Sequence, residues 1–447
     1  MEKVLVVGGR KSGLFAALLA KKLGYSVFLT ENSVNEEVLK NVNVLKENGI
    51  DYEIGKHSFG LFKSFDFAVL SPGVPLGSEI VLSLERDGIP FIGETEFAYR
   101  SSPETEIVAV TGSNGKSTTT SLIGHILELF DGSTITGGNL GNPYSELLLN
   151  MPSPHFAVLE TSCFQLETIE KYRPKVAVFL NIMENHLDRY KTIDEYVSVK
   201  KRIFENQDAN DFAVLNYDDR IVSDFSKSIR SKTYFYSLYQ EVPVGAYFEG
   251  GNIYVVDSKS KLLLTDVSKI KLRGMHNVSN VLAAVVAASV LKVPNEVVIK
   301  GIETFRGLPH RLEEVRTIDG VLYVNDSKST TPDSTIKALE SFNAPIILIA
   351  GGSSKNNDFT NLSQYFSGRV KKLILLGDTA RAIGDAAVRA GFGNFVIVNS
   401  LENAVKKAKA ISSSGDVVLL SPACASFDMF NDFEHRGETF KQIVNKL

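Results

Sequence analysis

The stretch "IVAVTGSNGKSTTT", residues 107 to 120, constrains the fold of this chain more than any other. Four apolar residues run into Thr111, Gly112 and Gly115 follow, and Lys116 and Ser117 open a helical pattern. A strand, a glycine loop and a helix in that order form one unit of a parallel α/β sheet. Backbone N–H groups, the helix N-terminus and a lysine then converge on phosphate. The Ser117 hydroxyl suits a magnesium ion. The strict Walker spacing would put glycine at position 110, where Val110 stands, so this loop is a variant. The plainer reading is a glycine turn with a surface lysine.

The same rhythm extends across the chain. Short apolar runs at 4 to 9, 26 to 30, 67 to 73 and 89 to 93 alternate with helical patterns, as in a parallel sheet with crossover helices. The polar connector "RSSPETE", with Pro103, precedes the phosphate loop. Runs at 155 to 160 and 175 to 182 continue the central unit. From 212 to about 273, "FAVLNYDD", "TYFYSL", "NIYVVD" and "KLLLTD" predict a few antiparallel strands on its edge. After a break at "GLPHRLE", the runs "VLYVND", "PIILIAGG", "KKLILLGD", "FVIVNS" and "DVVLLSP" predict another doubly wound sheet. The expected architecture is α/β with three domains, at 1–98, 99–305 and 306–447: a Rossmann-like parallel sheet, a P-loop-type domain with a small antiparallel edge, and a second Rossmann-like domain.

A length of 447 residues supports several cores. The balance of 48 basic and 52 acidic side chains, a net charge of −4, gives no electrostatic reason to expect nucleic acid as a partner. Two cysteines, Cys163 and Cys424, cannot make a disulfide framework and fit a reducing cytoplasm. No apolar run reaches about 18 residues, so no membrane span is expected.

Other residues fit nucleotide chemistry. Glu160 ends an apolar run, where a carboxylate can hold nucleotide-bound magnesium or be an ordinary strand-end acid. His186 follows another strand and reads as a metal ligand or as a packed side chain. A GTPase would need NKxD and a protein kinase HRD and DFG, and none occurs. "GGRKSG" departs from the dinucleotide fingerprint at Arg10, yet Gly8, Lys11, Ser12 and Gly13 could cradle another nucleotide diphosphate, or only pack strand to helix.

Taken in order, "GSNGKST", "ETSCFQLE", "NIMENHLDRY", "YVSVKKRIFEN", "MHNVSN", "GLPHRLE", "NDSKSTTP" and "LLSPACASFDMFNDFEHRGETFK" resemble the motifs of the Mur ligases of peptidoglycan synthesis, nearest the branch that takes D-glutamate. The resemblance spans nearly the whole chain. It implies an ATP-dependent amide ligase that activates the carboxylate of UDP-N-acetylmuramoyl-L-alanine as an acyl phosphate. The amine of D-glutamate then attacks, and ADP and phosphate are released. A sister ligase adding another amino acid, of the Mur or folylpolyglutamate type, and a nucleotide-dependent switch are the alternatives.

The resemblance also implies roles. Gly112, Ser113, Asn114, Gly115, Lys116, Ser117 and Thr118 would hold ATP, with Asn277, Asn280, Arg311 and Asp326. Both asparagines could instead cap a helix. Catalysis would rest on Lys116, Glu160, His186 and Lys200, with two Mg2+ ions served by Ser117 and Glu160, and by His186 and Lys200. Lys200 would be carbamylated by CO2. Its neighbour Lys201 competes for that role, and without the family a pair of solvated helix lysines is the plainer reading. Lys11, Ser12, Glu31, Ser71, Gly73, Asn139 and Gln165 would meet the UDP-sugar, although Asn139 alone could be a turn residue. Lys328, Thr330, Lys355, Ser426 and Phe433 would receive D-glutamate. A cytoplasmic monomer is expected. The chain departs from the family at "TSCFQLE", which places Cys163 near the site, and at "NDSKSTTPDS", which lacks an asparagine often found after the threonine.

Overall fold

The computed structural model describes residues 1–183, 189–257, 260–353 and 357–447. The chain divides into two compact units, Met1–Lys269 with Ser279–Thr304, and Ile270–Val278 with Phe305–Leu447.

The first unit holds two sheets. β1 (Lys3–Val7), β2 (Ser26–Glu31), β3 (Asp51–Ile54), β4 (Phe67–Leu70) and β5 (Phe91–Gly93) form a parallel sheet in the order β3-β2-β1-β4-β5. Val4, Leu5, Val6 and Val7 of the central strand are buried on both faces, as a parallel strand covered by helices requires. The helix Lys11–Lys22 buries Leu14, Ala16, Ala17, Leu19 and Ala20, and places Lys21 and Lys22 where they complement its dipole. β3 carries little apolar sequence, only one of its residues being aliphatic, so periodicity does not reveal it.

The second sheet comprises β6 (Glu106–Thr111), β7 (Thr134–Gly138), β8 (Phe156–Glu160), β9 (Val176–Phe179), β10 (Phe212–Asn216), β11 (Lys232–Ser237), β12 (Gly245–Glu249), β13 (Asn252–Val256) and β14 (Lys261–Asp266), in the order β14-β13-β12-β11-β10-β9-β6-β8-β7. The antiparallel edge is smaller than expected. β10 and β11 pair in parallel, the helix Arg220–Asp224 supplying their crossover, and β11 and β12 are parallel as well, joined through residues 238–244; only the β12, β13 and β14 pairings are antiparallel. β6 lies between β8 and β9, with Val110 opposite Glu160 and Thr111 opposite Phe179. The loops that leave those three strands therefore emerge side by side.

The second unit contains β15 (Glu313–Ile318), β16 (Val321–Asn325), β17 (Ile346–Ala350), β18 (Val370–Leu375), β19 (Phe395–Ile397) and β20 (Val417–Leu420), in the order β15-β16-β20-β17-β18-β19. All pairs are parallel except the hairpin of β15 and β16. Asp319 and Gly320, both at positive φ, make its two-residue turn. The molecule is thus a mixed α/β protein with three sheets.

Candidate active site

The phosphate loop is built where expected. Gly112 and Gly115 adopt φ of 149° and 84°, and a Cβ on Gly115 would lie 2.4 Å from Asn280 Oδ1. The loop is tied to the chain after β9: Ser113 N donates to Asn181 O at 3.0 Å, and Asn114 N to Asn181 Oδ1 at 2.8 Å. Asn280, from the helix Met275–Val290, also accepts from Thr119 Oγ1. Thr118 is buried, and its hydroxyl has no hydrogen-bond partner among the described residues.

Three elements converge beside this loop. Ser117 Oγ donates to Glu160 Oε2 at 2.7 Å, and Asn139 Nδ2 donates to Oε1 of the same carboxylate at 2.8 Å. Glu160 is only 4% exposed, so this acceptor-only group is held by neutral donors at the end of β8. Lys116 Nζ donates to Gly112 O at 3.0 Å and to Ser113 O at 2.9 Å. Lys200 Nζ, from the helix Ile193–Lys201, also donates to Gly112 O at 3.0 Å and reaches Thr111 Oγ1 at 3.3 Å.

Lys200 is 2% exposed. Burial, with the Lys116 ammonium as a second cause, pushes its amine down to about 8. Lys201 instead reaches outward to Ser228 Oγ at 2.8 Å, so helical periodicity sends one lysine of the pair into the site and the other to the surface. The Tyr196 ring lies 5.1 Å from Lys200 Nζ, and its hydroxyl meets Ser113 Oγ at 3.3 Å. Nothing in the sequence marks Thr111, Asn181 and Tyr196 as making contacts across 67 to 89 positions. His186 lies outside the described residues. Among the described residues no three His, Cys, Asp or Glu side chains group as a metal centre.

The candidates on the first sheet collect at the C-terminal ends of its strands. A Cβ on Gly13 would fall 1.8 Å from Gly8 O, so the turn after β1 closes tightly. Ser71 Oγ, at the end of β4, is buried without a hydrogen-bond partner among the described residues. Glu31 Oε2 accepts from Gly9 N at 2.7 Å. Lys11 reaches from the helix start to Asn142 Oδ1 at 2.8 Å and Glu146 Oε2 at 3.0 Å. Ser12 occupies the next helical position, and Gly73 lies exposed in the loop after β4. Gln165 is engaged otherwise: its carbonyl completes a capping box with Ser162, and its amide donates to Thr95 Oγ1 at 3.1 Å. Cys163 is a buried thiol packed with Tyr190 and Tyr196.

In the second unit, His310 and Leu312 sit at positive φ on either side of Arg311, whose Nε is buried without a hydrogen-bond partner among the described residues. Asp326 accepts from Leu312 N at 3.1 Å and Ser421 Oγ at 2.7 Å, and burial pushes its carboxyl up to about 6. Asn277 Nδ2 donates to Arg273 O at 2.7 Å. Lys328 Nζ lies 5.3 Å from the ring of Phe433, the first residue of the helix Phe433–Asn445. Thr330 N donates to Lys328 O, and Ser426 is buried. Lys355 lies outside the described residues.

Arg436 organises this cluster, a role that its motif alone does not signal. It is 3% exposed and donates to Ser327 Oγ and O at 2.9 Å, Cys424 O at 3.1 Å and Ala425 O at 3.2 Å. One guanidinium therefore fixes the segments that carry Lys328 and Ser426.

Residues 110–288 match the Mur ligase middle domain, and residues 310–424 the glutamate ligase domain of Mur ligases. A UDP-N-acetylmuramoylalanine--D-glutamate ligase of Clostridioides difficile is 43% identical over 449 residues, covering 100% of this chain and 99% of that one. The chain belongs to the Mur ligase family. Another D-glutamate ligase, from Pelotomaculum thermopropionicum, is 41% identical over 446 residues, covering 100% and 98% of the two chains. Solved Mur ligases share the fold of this one at lower identity. The UDP-N-acetylmuramate-alanine ligase of Thermotoga maritima matches with a TM-score of 0.63 at 20% identity, over 100% of both chains. A pseudomurein peptide ligase of Methanothermus fervidus matches at 0.61 and 19%, again over 100% of both.

Proposed function

We propose that this Mur ligase joins D-glutamate to UDP-N-acetylmuramoyl-L-alanine at the expense of ATP. Full-length likeness to D-glutamate ligases at 41 to 43% identity supports the substrates. The observation that carries the chemistry is the convergence of Lys116 and Lys200 on one carbonyl beside the Ser117 and Glu160 pair.

An amide does not form from a carboxylate and an amine without activation. A carboxylate oxygen of the sugar peptide attacks the γ-phosphorus, and the bond to ADP breaks. The D-glutamate amine attacks the resulting acyl phosphate, loses a proton, and phosphate leaves as the tetrahedral adduct collapses. Two anions must approach for the first step, and Lys116 offsets their repulsion. The loop N–H groups and the start of the helix Lys116–Phe130 orient the phosphates.

Ser117 and Glu160 fit a magnesium ion, being a hydroxyl and a buried carboxylate with oxygen donors at one point. Bound there, the ion would neutralise phosphate charge. Lys200, with its amine lowered to about 8, keeps enough neutral form near neutrality to take up CO2 as a carbamate, which would turn a cation into a second carboxylate ligand. His186 would share that second ion.

By family likeness Asn277, Asn280, Arg311 and Asp326 serve the nucleotide, and Lys328, Thr330, Lys355, Ser426 and Phe433 serve D-glutamate. The turn at Gly8–Gly13, with Ser71 and Glu31, serves the UDP moiety. We assign these roles to domains at 1–98, 99–305 and 306–447. We place the enzyme in the cytoplasm. No helix among the described residues is long and apolar enough to cross a membrane.

The test is phosphate release from ATP, magnesium and UDP-N-acetylmuramoyl-L-alanine, with and without D-glutamate. Release that requires D-glutamate supports the ligase; release indifferent to it favours a nucleotide-driven switch, and release restored by a different amino acid favours a sister ligase.

A further inference from the structure

The C-terminal edge of the first sheet carries a polar cluster that the reaction above does not use. Thr30, fully buried at the end of β2, places its Oγ1 2.7 Å from His57 Nδ1 and 2.8 Å from Glu53 Oε1. The Glu53 carboxylate also accepts from Ser58 N at 2.8 Å. Although burial pushes this carboxyl up, hydrogen bonds from Ser58 and Thr30 hold it below its ordinary value, so it is ionised and only accepts. Two oxygens 2.8 Å apart, one of them a carboxylate, need the hydroxyl proton between them. The Thr30 oxygen is then left to accept, and the partner facing it must be His57 Nδ1–H. The neutral ring therefore carries its proton on Nδ1 and exposes Nε2 as an acceptor.

This acceptor has a defined place along the sheet edge. The phosphate turn at Gly8–Gly13 follows β1, Glu31 ends the adjacent β2, and His57 follows β3 one strand further out. Where such sheets bind nucleotides, phosphate lies on the turn after the first strand and the acidic residue after the second takes ribose hydroxyls. A base attached to that ribose can reach the end of the third strand. Two strand spacings, about 10 Å, separate that position from the phosphate turn.

We propose that His57 is a specificity residue for the nucleobase of the UDP-linked substrate, its Nε2 accepting the N3–H of uracil. The proposal rests on the reading that the first sheet binds the UDP moiety. Uracil presents an N–H at this position, whereas cytosine presents a lone pair, which an acceptor repels. A protonated His57 inverts the logic, because its Nε2–H would then face N3. Glu53 from β3, Glu31 from β2 and Glu79 from the helix Glu79–Arg86 face the ring and favour its charged form, yet burial outweighs them and keeps it neutral at pH 7. The Phe59 ring packs against its edge at 6.2 Å.

The experiment titrates the full chain with UDP, CDP and N3-methyl-UDP by calorimetry. Wild type should bind UDP about 10- to 100-fold more tightly than either analogue at pH 8. The ratio of UDP to CDP affinity, in which the shared diphosphate titration cancels, should fall as pH drops through the histidine range. His57→Asn retains a donor toward Thr30 but places nothing at Nε2, and should reduce the preference to within about threefold. Thr30→Val frees the ring tautomer and should weaken the preference in a chain that keeps His57. A wild type that binds all three equally, or a His57→Asn that keeps the preference, overturns the proposal while leaving the UDP reading intact. If UDP does not bind at all, the UDP reading itself fails.

Discussion

Lys116 and Lys200 donate to the same oxygen, the carbonyl of Gly112, each at 3.0 Å. Two ammonium groups around one carbonyl repel each other, and an arriving anion or loss of one charge relieves the repulsion. The arrangement is poised for phosphate on one lysine and for neutralisation of the other.

Lys200 should therefore weaken the fold it serves. Its folded-state amine titrates near 8, below the ordinary lysine value of 10.5, so the folded chain holds that proton less tightly than the unfolded chain. Its contribution to stability is complete above the unfolded value and is lost as pH falls through about 8. At pH 7 the deficit is on the order of 3 kcal/mol. In CO2-free buffer at pH 7, Lys200→Met should melt several degrees higher than wild type, with the gap closing toward pH 10, and should have almost no turnover. Lys200→Ala should regain part of its activity with added short carboxylates. A melting temperature unchanged or lowered at pH 7 would count against the buried-cation account.

Lys116→Met removes the charge while keeping much of the side-chain length. Turnover should drop by at least about 10²–10³-fold, since an aligned charge on the reacting phosphate is lost. Thermal unfolding should show the loop still folded, because Gly112 and Gly115 and the Asn181 hydrogen bonds remain. Near-normal turnover would remove Lys116 from the mechanism.

Glu160 receives Ser117 and Asn139 through separate oxygens. Glu160→Gln keeps the shape but replaces one acceptor by a donor and removes the charge. The magnesium concentration for half-maximal rate should rise about 10- to 100-fold, measured at saturating substrates. An unchanged magnesium dependence would separate Glu160 from the ion.

Arg436→Met leaves the carbonyls of Ser327 and Cys424 without their donor, while that of Ala425 keeps the Ser353 N–H. Stability should fall by about 2–3 kcal/mol. The KM for D-glutamate should rise more than tenfold, with the KM for ATP within about twofold. Equal effects on both KM values would make Arg436 a general support of the second unit.

Periodicity and turn chemistry made much of this fold legible. Runs such as "VLVV" and "IILIA" are buried on both faces and read directly as parallel strands. β3 was hidden because "DYEI" is half-buried, and β15 because "EEVRTI" faces solvent at alternate positions; the Asp319–Gly320 pair was the available signal for its hairpin. The direction of β10 and β11 depends on a five-residue crossover helix, too short for its pattern to stand out. In the site, residue types and spacing pointed to Lys116, Ser117 and Glu160, whereas the choice of Lys200 over Lys201 needed the family register and agrees with which lysine is buried. Arg436 and His57 act through partners 109 and 27 positions away, contacts that exist only once the sheets have formed.

The proposed mechanism requires that the sugar-peptide carboxylate be phosphorylated before the amine attacks. It is tested most directly by labelling that carboxylate with heavy oxygen and running the complete reaction with ATP and D-glutamate. One labelled oxygen should appear in each phosphate released. Phosphate free of label, formed together with the amide product, would contradict it.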